Sequence, residues 1–287
     1  MHFVGLDLAW GEKNNTGVAV VGADGRLLHV GAAHDDAGIE AAIEPYVSGD
    51  CLVSIDAPLV VNNATGSRPC EAALNRDFHA FEAGAHPANT TNPALARPRA
   101  ARIATALTLD MNPASTSPRR AIEVYPHPAT IALFGLDKTL KYKKGSFETR
   151  QHELLRLMTL IEGLDSATPR LRVNHNMSWV ELRKRVEAAT RPVQLDRDED
   201  PVDAVLCAYV GLYWYHRPED VTIYGDYASG YIVTPTLPPD ATPARRRRPA
   251  PRTDADDLRA RVAQVATLLD QAQRGLDEIR QQLDGER

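Results

Sequence analysis

The sequence predicts an α/β domain built on a mixed sheet, and three observations lead there. Residues 2–8 and 16–22 are apolar, β-branched runs joined by a short polar loop, and Asp24-Gly25 is a hairpin dipeptide leading into a third run at 26–33, so three antiparallel strands follow one another. Residues 35–47 then carry Ile39, Ala42, Ile43 and Tyr46 at helical spacing. Residues 51–55 return as a short apolar strand ending in Asp56, which makes the connection a crossover and the sheet mixed.

The remaining elements follow in order. Between residues 58 and 118 the chain is loop-rich, with helices expected over 68–81 and over 93–109, the second studded with Arg97, Arg99 and Arg102; the turn-forming stretch AGAHPANTTNP separates them. A strand is expected at 121–125, a short helix at 128–136, and a basic loop, LKYKKG, at 140–145. Amphipathic helices follow at 147–164 and 178–189, the latter opened by a Ser178/Glu181 capping box. Asp200-Pro201 reads as the start of a long apolar helix reaching Tyr215, with proline where its missing N–H costs nothing, and short strands at 221–224 and 231–233 close the domain.

The tail differs in kind. Residues 236–252, rich in Pro and Arg and including four arginines at 245–248, cannot pack a core and read as an extended linker. From there to residue 287, Leu258, Val262, Val265, Leu269, Ala272, Leu276, Ile279 and Leu283 recur at spacings of four and three, the pattern of a coiled coil and of a homo-oligomer joined through 258–283. A lone amphipathic helix folded back on the domain is the alternative.

Composition sets bounds on function. The 287 residues are 43% hydrophobic and 25% charged, ordinary for a globular protein, and the formal charge of −5 gives no global attraction to nucleic acid, so polyanion binding must rest on local basic patches. Three cysteines without ligand spacing fit a reducing cytoplasm. No apolar stretch approaches the roughly 18 residues of a membrane span, and the N-terminus does not read as an export signal.

The acids carry the chemistry. Asp7 lies in the first strand, Asp56 ends the strand after the crossover, Glu123 lies in the next strand, and Asp200 and Asp203 stand one turn apart at the head of the long helix. Ligands of α/β sheets gather at strand ends and adjoining helix termini, so these elements can deliver their carboxylates to one point. Such a cluster is tolerable if it holds divalent cations, and all-oxygen ligation selects Mg²⁺ or Mn²⁺. Structural roles stay open beside this one: a helix cap for Asp200, a dipole partner for Asp203, a turn former for Asp56. Asp7 and Glu123, inside apolar strands, have the fewest such explanations.

The segments GLDLAWG, VSIDAPL, EVYPHPA and DPVDA, in this order, resemble the RNase H-like superfamily, and with RPCEAALNR, FEAGAHPAN and FGLDKTLKYKKG they resemble in particular the domain of unknown function 429 family. The resemblance covers about residues 3–235. It implies a five-stranded mixed sheet flanked by helices over residues 1–235, with a helical insertion at about 58–120 that the superfamily core lacks; the linker and the coiled-coil helix at 253–287 lie beyond it. It further implies two-metal phosphodiester hydrolysis of nucleic acid, with Asp7, Asp56 or Glu123, and Asp203 as ligands, and a closing acid pair like that of resolvase-type members. On this expectation His127 is a proton shuttle, and Arg97, Arg99, Arg102, Lys138, Lys141, Lys143 and Lys144 are phosphate contacts. His86 and Asn89 match a family motif without an evident mechanism. Two other classes compete: a non-catalytic nucleic-acid or protein-binding module on the same fold, and an actin- or sugar-kinase-like ATPase, against which stands the lack of glycine-rich phosphate loops.

Overall fold

The computed structural model describes residues 1–9, 11 and 15–244. Its sheet has the order β3-β2-β1-β4-β5, built from β1 (His2–Asp7), β2 (Thr16–Gly22), β3 (Leu27–Ala33), β4 (Cys51–Ile55) and β5 (Arg119–Glu123). The first three strands pair antiparallel, whereas β4 runs parallel to both β1 and β5. The crossover between β3 and β4 is α1 (Asp36–Val47), started by Asp35, whose side chain accepts from the Gly38 N–H at 2.8 Å.

Parallel pairing brings the carboxyl ends of β1, β4 and β5 to one edge. Leu6 stands opposite Ile55, and Ile55 opposite Glu123, so Asp7 and Asp56 emerge level at that edge while Glu123 stands one residue earlier on its strand. Asp7 and Glu123 are two strands apart, roughly 10 Å at ordinary strand spacing, with Asp56 between them.

Between β4 and β5 lie α2 (Pro69–Phe78) and α3 (Arg99–Ala106); after β5 come α4 (Pro126–Phe134), α5 (Phe147–Gly163), α6 (Met177–Ala188) and α7 (Pro192–His216). The last strands, β6 (Val221–Asp226) and β7 (Gly230–Pro235), form a separate hairpin that touches the main sheet through a bridge between Val124 and Val233. The helix expected at 128–136 starts two residues earlier, at Pro126, and three other starts differ for identifiable reasons. The helix expected over 93–109 is a 3-10 turn at Pro93–Leu95 followed by α3, because Pro98 biases residue 97 away from helical backbone. Asn176, not Ser178, caps α6, its side chain accepting from the Trp179 N–H at 3.1 Å. And α7 begins at Pro192, where Gln194 Oε1 accepts from the Arg191 N–H at 2.9 Å, so Asp200-Pro201 sits inside the helix and Asp200 is not its cap. Pro201 removes one donor from the helix ladder there.

The expected linker is described only as far as Ala244, whose N–H donates to the Asp137 carbonyl at 2.7 Å; its remainder and the expected coiled coil at 253–287 lie outside the described residues. Among the described residues no helix is long and apolar enough to cross a membrane.

The helix α7 lies on β1, β2 and β4 almost without a gap, and its residues from Pro201 to Leu212 are buried. Two glycines permit this. A methyl group on Gly5 would fall 1.9 Å from the Ala204 carbonyl oxygen, and one on Gly17 1.9 Å from that of Asp200. Gly5→Ala should therefore lower unfolding stability by about 3 kcal/mol or more. Gly163→Ala, with open space around the added methyl, should change it by less than about 1 kcal/mol. Denaturant titration of the two variants measures the difference; equal effects would remove the tight seat of α7.

Candidate functional site

Four carboxylates and one ammonium meet at the edge where the parallel strands end. Asp7 comes from the last position of β1, Asp56 from the residue after β4, and Asp200 and Asp203 from successive turns of α7. Between α4 and α5 the basic loop delivers Lys143, whose Nζ stands 2.7 Å from Asp203 Oδ2, 3.1 Å from Asp7 Oδ2 and 3.8 Å from Asp200 Oδ1. The neighbouring residue fixes its approach: the Tyr142 ring is buried, its carbonyl accepts from Arg150 Nε at 3.0 Å, and its hydroxyl donates to Asp203 Oδ1 at 2.8 Å. Asp203 is thus held through both oxygens, while the Asp56 side chain has no hydrogen bond or ion pair among the described residues.

The electrostatics are those of a crowded acid site. Burial raises the Asp7 and Asp56 carboxyls above the usual range, Lys143 opposing and Asp203 adding to the rise. Asp200 is pushed up to about 8 by burial and by Asp7, and Glu199 beside it to about 7 by burial, against the pull of Lys143 and Arg150. Lys143 lies well above its ordinary range because the attraction of Asp203 and Asp7 outweighs its own burial.

The fifth predicted acid does different work. Both Glu123 oxygens are taken by Arg68, at 2.5 and 2.9 Å, and one also accepts the Leu59 N–H at 2.9 Å. Arg68 Nε in turn bonds Glu71 at 2.8 Å, and Glu71 accepts the Ala88 N–H and the Arg68 N–H. Arg68, Glu71 and Glu123 are each no more than 3% exposed, a fully bonded buried network. It ties β5 to the loop that follows Asp56.

The predicted phosphate contacts divide. Arg99 is buried, its Nε on Asp36 at 2.6 Å and its Nη1 on the carbonyls of Ala9 and Gly11 at 3.1 and 3.2 Å, so it holds the β1–β2 loop and faces no solvent. Arg102 pairs with Asp36 at 3.4 Å, and Lys141 and Lys138 pair with Glu82 at 2.6 and 3.5 Å. Arg97 and Lys144 are exposed. Lys143 faces the carboxylates. His127 Nδ1 lies 3.5 Å from the Tyr142 hydroxyl and 3.4 Å from that of Thr139; burial pulls its pKa down to about 4, so the ring is neutral at pH 7. His86 is exposed, and the Asn89 side chain donates at 3.0 Å to the Gly66 carbonyl in the loop before α2.

Sequence reasoning found the four clustered acids and missed Arg68, Tyr142 and the inward aim of Lys143. The signal available for Arg68 was the Glu three residues later in RPCE, which does form a reciprocal bond across the start of α2.

Among the described residues no group of three or more His, Cys, Asp or Glu side chains is arranged ready to hold a metal ion. The donor chemistry nonetheless suits a hard divalent cation: all four ligand candidates are carboxylates, a cationic nitrogen already stands among three of them, and the side chain of the fourth, Asp56, has no hydrogen-bonding partner among the described residues.

Two outcomes follow from the charges. Arg68→Met should cost about 3–5 kcal/mol by leaving Glu123 and Glu71 without their cation, and Arg68→Met combined with Glu123→Met should recover part of it; denaturant titration of both reads this out, and a neutral single variant would make the network inert. The second concerns pH. Folded Asp200 and Glu199 hold protons, up to about 8 and 7, that the unfolded chain releases near pH 4, so the folded state binds more protons in that window. Their contribution is full below about pH 4 and falls as pH rises toward 8. Thermal midpoints in a chelating buffer should decline over this range, less steeply in Asp200→Asn; parallel declines would exclude Asp200 as a source.

No curated protein and no solved structure matches the chain. The family model described as a protein of unknown function, DUF429, matches residues 5–228, a span that includes all four clustered acids and Lys143, and the chain belongs to that family.

Proposed function

We propose that the chain is a Mg²⁺- or Mn²⁺-dependent nuclease that hydrolyses phosphodiester bonds by two-metal chemistry on an RNase H-like sheet. The observation that carries this reading is the meeting of Asp7, Asp200 and Asp203 around one cation with Asp56 beside them, at the edge where ligands of parallel strands gather. The strand order β3-β2-β1-β4-β5, antiparallel for its first three members, supports the superfamily assignment.

Asp7, Asp56, Asp203 and Asp200 are the residues that would hold the ions. When bound, the ions supply electrophilic stabilisation of the phosphate and of the leaving oxygen. The chain's own contribution is orientation and proton handling. Tyr142 fixes one Asp203 oxygen, which leaves the other to face the site. His127, neutral at pH 7, can accept a proton along the Tyr142 hydroxyl but cannot begin the reaction as an acid. Glu123 holds the loop after Asp56 through the Leu59 N–H. Nucleic acid is the proposed partner, with Arg97 and Lys144 free to meet phosphates and Lys141 and Arg102 at the cost of an existing pair.

A second reading, a non-catalytic binding module, is favoured by one observation: Lys143 already compensates charge in the cluster. Digestion in Mn²⁺ separates the two. Single-stranded DNA, duplex DNA, RNA, hybrid and branched substrates are each incubated with the intact protein and with Asp7→Asn. Cleavage of at least one substrate, falling to background in Asp7→Asn while its melting temperature holds or rises, is the expected result. Binding without cleavage across the panel would establish the module instead.

A further inference from the structure

The position of Lys143 bears on how the acid cluster is loaded. Its ammonium sits within 2.7–3.8 Å of one oxygen each from Asp203, Asp7 and Asp200. A divalent ion of the Mg²⁺ or Mn²⁺ class would need carboxylate oxygens at about 2.0–2.2 Å, and an ion held by these acids would stand within a few ångströms of the ammonium, where two cations in a partly buried site repel strongly. The Asp56 side chain has no hydrogen bond or ion pair among the described residues and is therefore a ligand that Lys143 leaves unused.

The loop allows the side chain to leave. Tyr142 is anchored by its buried ring and by Arg150 at its carbonyl, while Lys144 and Gly145 on the other side are exposed, and Gly145 adopts φ 122°, open to glycine. The Lys143 side chain is itself 30% exposed, so rotation about its own bonds carries the ammonium to solvent without moving Tyr142.

We propose that Lys143 is the resident counter-ion of the cluster and that its ammonium and a divalent cation bind Asp7 and Asp203 in competition. This rests on the reading of those carboxylates as metal ligands. Lys143 keeps the acids charge-compensated and in place, and an ion enters by expelling it, so apparent ion affinity is lowered by the work of withdrawing the lysine.

Calorimetric titration of the full chain with Mn²⁺ tests this in the wild type, Lys143→Met and Lys143→Arg. Lys143→Met should bind Mn²⁺ at least tenfold more tightly, and Lys143→Arg no more tightly than the wild type. A measurement on the wild type alone guards against a variant that fails to fold: acylation of lysines by an activated ester, read by peptide mass spectrometry, should rise several-fold at Lys143 on saturation with Mn²⁺ and stay constant at Lys184, whose side chain is 62% exposed. Equal or weaker Mn²⁺ affinity in Lys143→Met, labelling of Lys143 indifferent to Mn²⁺, or no Mn²⁺ binding by any form overturns the proposal. Tighter binding in Lys143→Met without cleavage of any nucleic acid sinks the nuclease reading and leaves the competition standing. Cleavage with equal affinities does the reverse.

Discussion

The close seating of α7 on the sheet is the constraint from which the site follows. Gly5 in the middle of β1 and Gly17 at the start of β2 let the helix backbone approach to where a single methyl would collide with the Ala204 and Asp200 carbonyls. Asp203 immediately precedes Ala204, so this contact sets its height above the strand and brings it level with Asp7. A larger residue at either glycine would lift the helix, and the two acids of α7 would no longer share a cation with β1. The geometry of the charges is thus decided by the absence of two side chains.

Two kinds of buried charge stand side by side here, and their contrast assigns them. In the Arg68–Glu71–Glu123 network the carboxylates meet donors from side chain and backbone, which is the condition for buried ions to be tolerated as structure. In the acid cluster three carboxylates share Lys143, Asp203 alone also takes the Tyr142 hydroxyl, and the fourth, Asp56, has neither. A fold selected for stability alone would not keep such an arrangement, because burial and mutual repulsion raise Asp7, Asp56 and Asp200 together. That imbalance, more than the presence of acids, distinguishes a site from a scaffold.

The sheet was legible because its signals are local. Alternating apolar runs and the Asp24-Gly25 turn announce β1 to β3, and acids at the ends of apolar strands stand out against their neighbours. The start of α7 was not legible: Asp-Pro has the chemistry of a helix opening, and only tertiary contacts of the eight preceding residues, such as buried Asp198 on Arg185, carry the helix back to Pro192. Pairings between distant segments were hidden in principle. Glu123 and Arg68 are 55 positions apart, and Lys143 and Asp7 136 apart, so sequence could name the charged residues without telling phosphate contact from internal counter-ion. The two cations misplaced by the sequence reading, Arg99 and Lys143, are those that the fold turns inward.

Those inward arginines also explain the segment between β4 and β5. Arg68 stands at the start of α2 and Arg99 at the start of α3, positions where the helix dipole disfavours a cation, so tertiary partners must compensate. Those partners lie beside the acids. Arg99 takes the carbonyls of Ala9 and Gly11, just past Asp7, and Arg68 takes Glu123 and the Val60 carbonyl, just past Asp56. Each helix of the segment therefore brings one buried guanidinium to the loop that follows one acid-bearing strand. Strand ends are otherwise the least constrained part of a sheet, and a carboxylate cluster that repels itself would spread them. The segment from 58 to 118 is in this sense part of the site, its arginines tying down Ala9, Gly11 and Val60, the backbone just past two of the acids.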